Sequence, residues 1–470
     1  ILKGGNVVDV FSGRVIKADV IIKDGIICGV GSYSGENEQD VSGKYVMPGF
    51  IDSHVHIESS MTQPSEYAKA VMPHGITTVI ADPHEITNVC GEDGLEFMLK
   101  SAKNIPLDVN LMLPSCVPAT PFEHTGANLD AKTTQKLAPK FFGIGEMMNY
   151  PGIVSGDDET LGKLCLDIID GHAPLLSGHE LDAYTSAGIK TDHECSVVEE
   201  MTEKISKGMY ILLREGTLSL DVAKLIKGVT PYMLRRCAFC TDDRFVGEII
   251  RDGSIDHCIR KAVSLGLNNI DAIIMATLNA CEMYGMKNKG AIAPSYVADI
   301  VVADDLNLSS ISQVYKNGKL VCENGTALFE CETVDNSKVT NTVHLPKISA
   351  DFFKTDVKDK FDAIELIPES IITKKVTVSY SDSLSKVCVI ERHHNLGTKG
   401  IGFVTNYGIT NGAIATSIGH DSHNVIVIGD NDSDMALAVN TLGTSGGIAV
   451  CSEGKVIASM TLDIAGLMSV

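Results

Sequence analysis

The sequence predicts an α/β protein: a (β/α)8, TIM-like barrel with a small β-domain and a C-terminal α+β domain. Two observations predict the barrel. Short apolar, strand-like runs at 49–53, 76–81, 108–113, 141–145, 165–171, 187–192, 209–213 and 236–241 alternate with helical candidates and supply eight strands. Several of these runs then close on a residue able to bind a metal. VMPGFIDSHVHIESS emerges into His54 and His56, and FFGIGE, LDIIDGH, AGIKTDH and CAFCTD end on Glu146, His172, His193 and Asp242. A barrel presents its chemistry where its strands end, so this repetition is what the fold would produce.

The first of these runs is the most specific. Alternation along an extended strand points the imidazoles of His54 and His56 to one side, where both can reach a single ion. Taken singly, a histidine after an apolar run is a hydrogen-bonded turn residue, and an Asp-Asp pair is a cap. Six such residues in barrel order are not explained that way. After the last strand, 254–265 and 269–284 carry apolar residues at helical spacing and are expected to pack outside the barrel.

The flanking segments follow a different pattern. Residues 1–48 carry short strand-like runs, among them 18–23 and 26–30 around the Asp24-Gly25 turn. A matching pattern returns at 298–303, 312–315 and 319–322, with Asn317-Gly318 between the last two. From about residue 350, KKVTVSY, KVCVIERHH, GIGFVTNYG, NVIVIGD and GIAVCSEGKVIASM read as strands and SDMALAVNTLG as a helix, an α+β unit. GTSGG at 443–447 lacks the Lys-Ser/Thr and helix of a phosphate loop.

Composition narrows the function. The 470 residues exceed what one hydrophobic core usually supports, so two or three domains are expected. With 39 basic and 60 acidic residues the net charge is −21, which opposes binding to nucleic acid or an anionic membrane. No apolar run reaches membrane-span length and the start has no signal-like core, so a cytoplasmic location is expected. Thirteen scattered cysteines, an odd number, point to reduced thiols, and Cys237 and Cys240 are expected to pack in a barrel strand rather than bind metal.

The order His-x-His, acid, His, His, Asp resembles the amidohydrolase superfamily. More closely, HVHIESSM (54–61), HGITTVIADPHEITNVCG (74–91), GIGEMMNYPG (143–152), DGHAP (170–174) and CTDDR (240–244) resemble segments of bacterial and archaeal adenine deaminases. The resemblance implies that 1–48 and 285–345 pair into one small β-domain, that 49–284 form the barrel, and that 350–470 form the C-terminal domain. It also implies two divalent ions. His54, His56 and Asp242 would hold one, His172 and His193 the other, and Glu146 would bridge them, since FFGIGEMMN offers no lysine to be carboxylated. Ions about 3.5–4 Å apart can share one hydroxide. Nitrogen and oxygen donors suit Mn²⁺, Fe²⁺ or Zn²⁺, with Mn²⁺ favoured by the resemblance.

The implied reaction is hydrolysis of adenine to hypoxanthine and ammonia, with a homodimer as the working form. Asp242 would pass a proton from the nucleophile to the leaving amine. Glu58, Asp82 and Glu85 are candidates for protonating a ring nitrogen, although Pro83 also makes Asp82 a candidate N-cap and Glu85 a first-turn acid. His84, Arg214 and Glu215 are candidates for contacts to the purine edge, and Asp243 is expected to be structural. Two other functions compete. A hydantoinase-like hydrolase of cyclic amides or amidines is opposed by Glu146 in place of lysine, and a non-catalytic binding protein by the completeness of the ligand set. The zinc deaminases with H-x-E and P-C-x-x-C do not match, because no proline precedes Cys237. His393, His394, His420 and His423 read as turn histidines, with a further metal site or a cleft wall as the alternative.

Overall fold

The computed structural model describes residues 1–356, 360–368, 372–379 and 384–470. At its centre are eight parallel strands: β1 (Phe50–Val55), β2 (Ile76–Ala81), β3 (Asp108–Leu113), β4 (Gly143–Met147), β5 (Ile169–Gly171), β6 (Thr191–Asp192), β7 (Tyr210–Arg214) and β8 (Cys237–Cys240). The runs FIDSHV, ITTVIA and CAFC are buried at every residue, as strands covered on both faces must be. Hydrogen bonding divides the barrel into β1–β5 and β6–β8. The β8–β1 seam closes at the C-terminal ends of the strands, where Asp242 N donates to His54 O at 3.0 Å and His56 N donates to Asp242 O at 3.2 Å. At the β5–β6 seam Gly171 N donates to the Thr191 hydroxyl at 3.0 Å.

Three elements differ from expectation. The strand expected over 165–171 is confined to Ile169–Gly171, and Cys165 and Asp167 lie exposed. The strand expected over 187–192 begins only at Thr191, because Gly188 at φ +102° ends the preceding helix in the left-handed region. The helix expected over 269–284 is two, Asn269–Met275 and Leu278–Met283. Thr277 bonds back to Ile273 O at 2.6 Å and leaves helical geometry.

Strands from both sides of the barrel build one nine-stranded sheet, in which Tyr45–Pro48 pairs parallel with Leu2–Asp9 and antiparallel with Ile300–Ala303. Asp24-Gly25 (φ 51° and 80°) and Asn317-Gly318 (φ 48° and 74°) adopt the left-handed pairs that tight hairpins require. Val20, Ile27, Val46, Ile300 and Val302 pack in its core.

Among the described residues, the C-terminal domain is an eight-stranded sheet with the helix Asp432–Thr441 packed on it. Two of its strands, Lys360–Leu366 and Gly412–Thr416, were not legible. In the second, GAIAT carries only Ile414 and Thr416 as strand formers among small residues, too weak a pattern to mark a strand. The KVCVIERHH run stops at Ile390, where the Glu391 carboxylate accepts from the backbone N–H groups of His393, His394 and Leu396 and turns the chain. Tyr380, the last residue of KKVTVSY, lies outside the described residues. The domain touches the barrel near its mouth. His394 Nε2 lies 2.9 Å from Thr125 O, Asn424 donates to His124 O at 2.8 Å, and Ser469 N donates to Met61 O at 2.8 Å. Among the described residues no helix is long and apolar enough to cross a membrane.

Candidate metal centre at the barrel mouth

The ends of β1, β4, β5, β6 and β8 bring His54, His56, Glu146, His172, His193 and Asp242 together. His54 Nε2 and His56 Nε2 face each other at 3.1 Å. Asp242 Oδ1 lies 3.1 Å from the latter and 3.7 Å from the former. Glu146 divides its two oxygens: Oε1 is 3.4 Å from His56 Nε2, while Oε2 is 2.6 Å from His172 Nδ1 and 3.2 Å from His193 Nε2. One carboxylate thus addresses two groups of nitrogens, one oxygen to each.

These separations fit metal binding. Two ligands about 2.0–2.1 Å from one ion lie roughly 3.0–3.4 Å apart, and the His54–His56 and His193–Glu146 distances fall there. The outer ring atom of His56 is bonded as a metal-binding histidine requires, and that of His54 faces a carboxylate. His56 Nδ1 is 2.9 Å from the Asp82 carbonyl and His54 Nδ1 is 3.7 Å from Asp170 Oδ2, which leaves both Nε2 atoms facing inward. The charge balance also asks for cations. Burial opposes charge on His172 and His56, yet the surrounding carboxylates push the His172 imidazole up to about 9 and hold His56 well above its usual range. Positive charge is what the site lacks, and divalent ions would supply it.

The neighbouring acids are arranged around this centre. Asp82 does not cap the helix His84–Ser101, whose N-cap position is taken by Pro83 without a side-chain bond. Its Oδ2 instead accepts from Glu146 N at 2.8 Å, and its Oδ1 is buried without a hydrogen-bond partner. Gly145 makes room for it, since a Cβ there would come within 2.1 Å of Asp82 Oδ2. Burial pushes the Asp82 carboxyl up to about 6, against the opposing charge of His84. Glu85 stands in the first turn, accepting from Ser59 Oγ at 3.2 Å, with Oε2 3.6 Å from His56 Nδ1. Glu58 Oε1 accepts from Ile86 N at 3.3 Å. Burial, then the charge of Glu85, holds Glu58 well above the usual carboxylate range. Glu85 itself is held well below, because His56 and His84 outweigh its burial. Asp243 accepts from Ser59 Oγ at 2.5 Å, tying the β8 loop to the β1 loop.

The other two sequence candidates lie differently. Arg214 is 5% exposed and its guanidinium is taken up by Asp242 Oδ2 at 2.8 Å, Asp221 at 3.2 Å and Glu194. Glu215 pairs with Lys261 of the helix Ile255–Ser264 and, among the described residues, forms no hydrogen bond or ion pair with the six clustered residues. Three acids escaped the sequence reading: Asp170 behind His54, Glu194 beside His172, and Asp192. The spellings Asp-Gly-His and Asp-His-Glu were the signal for them. Asp192 meets Lys204, which is fully buried and donates at 2.9 Å to Asp192, 2.7 Å to Glu200 and 2.7 Å to Ala173 O. Lys204→Met is expected to cost about 3–5 kcal/mol, because it strands two buried carboxylates. A chemical denaturation midpoint unchanged from the parent would contradict this network.

A parallel barrel carrying this donor set defines an amidohydrolase. Residues 45–321 match the amidohydrolase family, and residues 366–470 match the adenine deaminase C-terminal domain. An adenine deaminase of Clostridium acetobutylicum is 48% identical over all of this chain and 86% of its own length, and one of Nitratidesulfovibrio vulgaris is 44% identical over all of this chain and 85% of its own. The chain belongs to the adenine deaminase family. Solved structures share the fold: an enamidase of the amidohydrolase superfamily (TM-score 0.53, 18% identity, 69% of this chain and 96% of that one) and a β-aspartyl dipeptidase from Fervidobacterium islandicum (TM-score 0.51, 20% identity, 71% of this chain and 98% of that one).

Proposed function

We propose that this protein hydrolyses adenine to hypoxanthine and ammonia at the mouth of its barrel. The observation that carries the chemistry is Glu146, with one oxygen turned to His56 and the other to His172 and His193. The substrate rests on the adenine deaminases that match the whole chain at 41–48% identity. His54, His56 and Asp242 would hold one divalent ion and His172 and His193 a second, with Glu146 shared. Bound there, two such ions supply Lewis acidity that makes water nucleophilic near neutral pH. All the donors are nitrogen or oxygen, which accommodates Mn²⁺, Fe²⁺ or Zn²⁺, and we take Mn²⁺ as the native ion.

The chain's own groups manage the protons. The Asp242 carboxylate accepts one from the attacking water and returns it to the exocyclic amine, so that ammonia leaves as the C6–N bond breaks and the water oxygen remains on C6. Burial opposes its ionisation, but His56 and Arg214 hold Asp242 well below the usual carboxylate range, so it starts as a base. Glu58 and Glu85 are buried acids with opposite shifts, which suits a pair that shares one proton and delivers it to a ring nitrogen. Asp82 and His84 line the same wall. Arg214 acts by holding Asp242, while Glu215 takes a supporting place behind β8. A small neutral substrate suits the acidic chain, and we take the working form to be a cytoplasmic homodimer that binds neither nucleic acid nor membrane.

With the Mn²⁺-loaded protein, loss of adenine absorbance with stoichiometric ammonia is expected, and adenosine should be a much poorer substrate. Equal turnover of adenosine, or activity confined to cyclic amides such as dihydroorotate, would overturn the assignment.

A further inference from the structure

We propose that Asp421, carried by the C-terminal domain, is a positioning residue for the barrel's active site and acts by orienting the His84 ring against Glu146. His84 is 3% exposed and neither ring nitrogen has a hydrogen-bond partner, a costly state for a buried imidazole. It lies between two carboxylates. Nδ1 faces Glu146 Oε1 at 3.2 Å and Nε2 faces Asp421 Oδ1 at 3.6 Å, an ion-pair separation. The terminal torsion of histidine is broad and roughly two-fold, so a half-turn would exchange both nitrogens for ring carbons. With Glu146 as sole partner, only one contact selects between those orientations. Asp421 adds a second at the far side of the ring, and the orientation it favours is the one that presents Nδ1 to the Glu146 oxygen lying beside His56.

The segment bearing Asp421 is held in place for this. Two residues on, His423 is fully buried and its carbonyl accepts from the buried Arg392 guanidinium at 2.5 Å. Asn424 then reaches the barrel, donating to His124 O at 2.8 Å. Asp421 itself keeps about a third of its side chain exposed, with His420 beside it, so replacing it removes no core packing. The C-terminal domain thereby supplies a group to a centre whose other members all come from the barrel.

The activity arm of the test rests on the adenine reading, and a spectroscopic arm does not. In Asp421→Asn, kcat for adenine should fall about tenfold or more, the scale of removing an outer partner of a ligand residue, while KM stays within about twofold. Metal content and melting temperature should match the parent, and Asp421→Glu should recover part of the loss. Because the effect passes through His84, Asp421→Asn should cost nothing further in a His84→Gln background. In protein labelled with ¹⁵N-histidine, the His84 ring N–H, assigned by its loss in His84→Gln, should be protected from exchange in the parent and lost in Asp421→Asn. An unchanged kcat, additive losses in the double variant, a change in KM alone, a metal equivalent lost with Asp421, or an unaltered His84 resonance would each overturn the proposal. A parent protein inert toward adenine but showing the resonance change would instead overturn the substrate assignment alone.

Discussion

Glu146→Gln is expected to leave the chain folded while removing most of the paired metal and nearly all activity. The side chain sits on β4 with Oε1 toward His56 and Oε2 toward His172 and His193. A glutamine keeps the shape but offers one carbonyl oxygen, and its other end is an N–H₂ that donates and cannot coordinate. Either group of histidines would then meet an amide hydrogen where it needs a lone pair. Burial opposes the charge on Glu146, and the His172 charge with the close approach of His172, His193 and His84 nevertheless holds it well below the usual range, so the substitution removes a charge the site is built around. Metal analysis should find at most about one equivalent where the parent is expected to hold two, and turnover should fall by roughly 10²-fold or more. Circular dichroism should be unchanged. Two full equivalents in the variant would take Glu146 out of the bridging role.

Asp242→Asn separates holding a metal from moving a proton. The parent carboxylate presents Oδ1 to His54 and His56 and gives Oδ2 to Arg214. An asparagine oxygen can still coordinate weakly, so part of the metal should be retained. It cannot accept and return a proton, so turnover should drop by about 10²–10⁴-fold, more than the lost metal explains. The sign of the pH effect follows from the direction of the shift. A base held below the usual carboxylate range is ionised at neutral pH and limits the rate only as pH falls, so the variant should lose the acidic limb of the kcat/KM profile. Activity that follows metal occupancy with the profile unmoved would leave Asp242 a ligand and send the search for the shuttle to Glu58 or Glu85.

Local signals determined a large share of this protein. Apolar runs of strand length, each spaced by a helix, were enough for the barrel, because a strand covered on both faces is mostly apolar. Asp24-Gly25 and Asn317-Gly318 were enough for two hairpins, since that backbone conformation selects those residues. His54, His56, Glu146, His172, His193 and Asp242 were legible as a set, because each closes a strand and strand ends converge by construction. What only the tertiary structure decided were the partners of side chains that leave the strand direction. Sequence chemistry allowed Asp82 to cap a helix, and folding turned it onto the backbone of Glu146. It allowed Arg214 to meet a purine, and folding engaged it with three acids from the β6, β7 and β8 loops. It favoured His420 and its neighbours as turn residues, and folding set Asp421 against His84, more than 300 positions earlier in the chain. Strand periodicity is written in neighbouring residues. The contacts of a charged side chain depend on which loops arrive beside it, and that depends on closing the barrel and docking a second domain on its mouth.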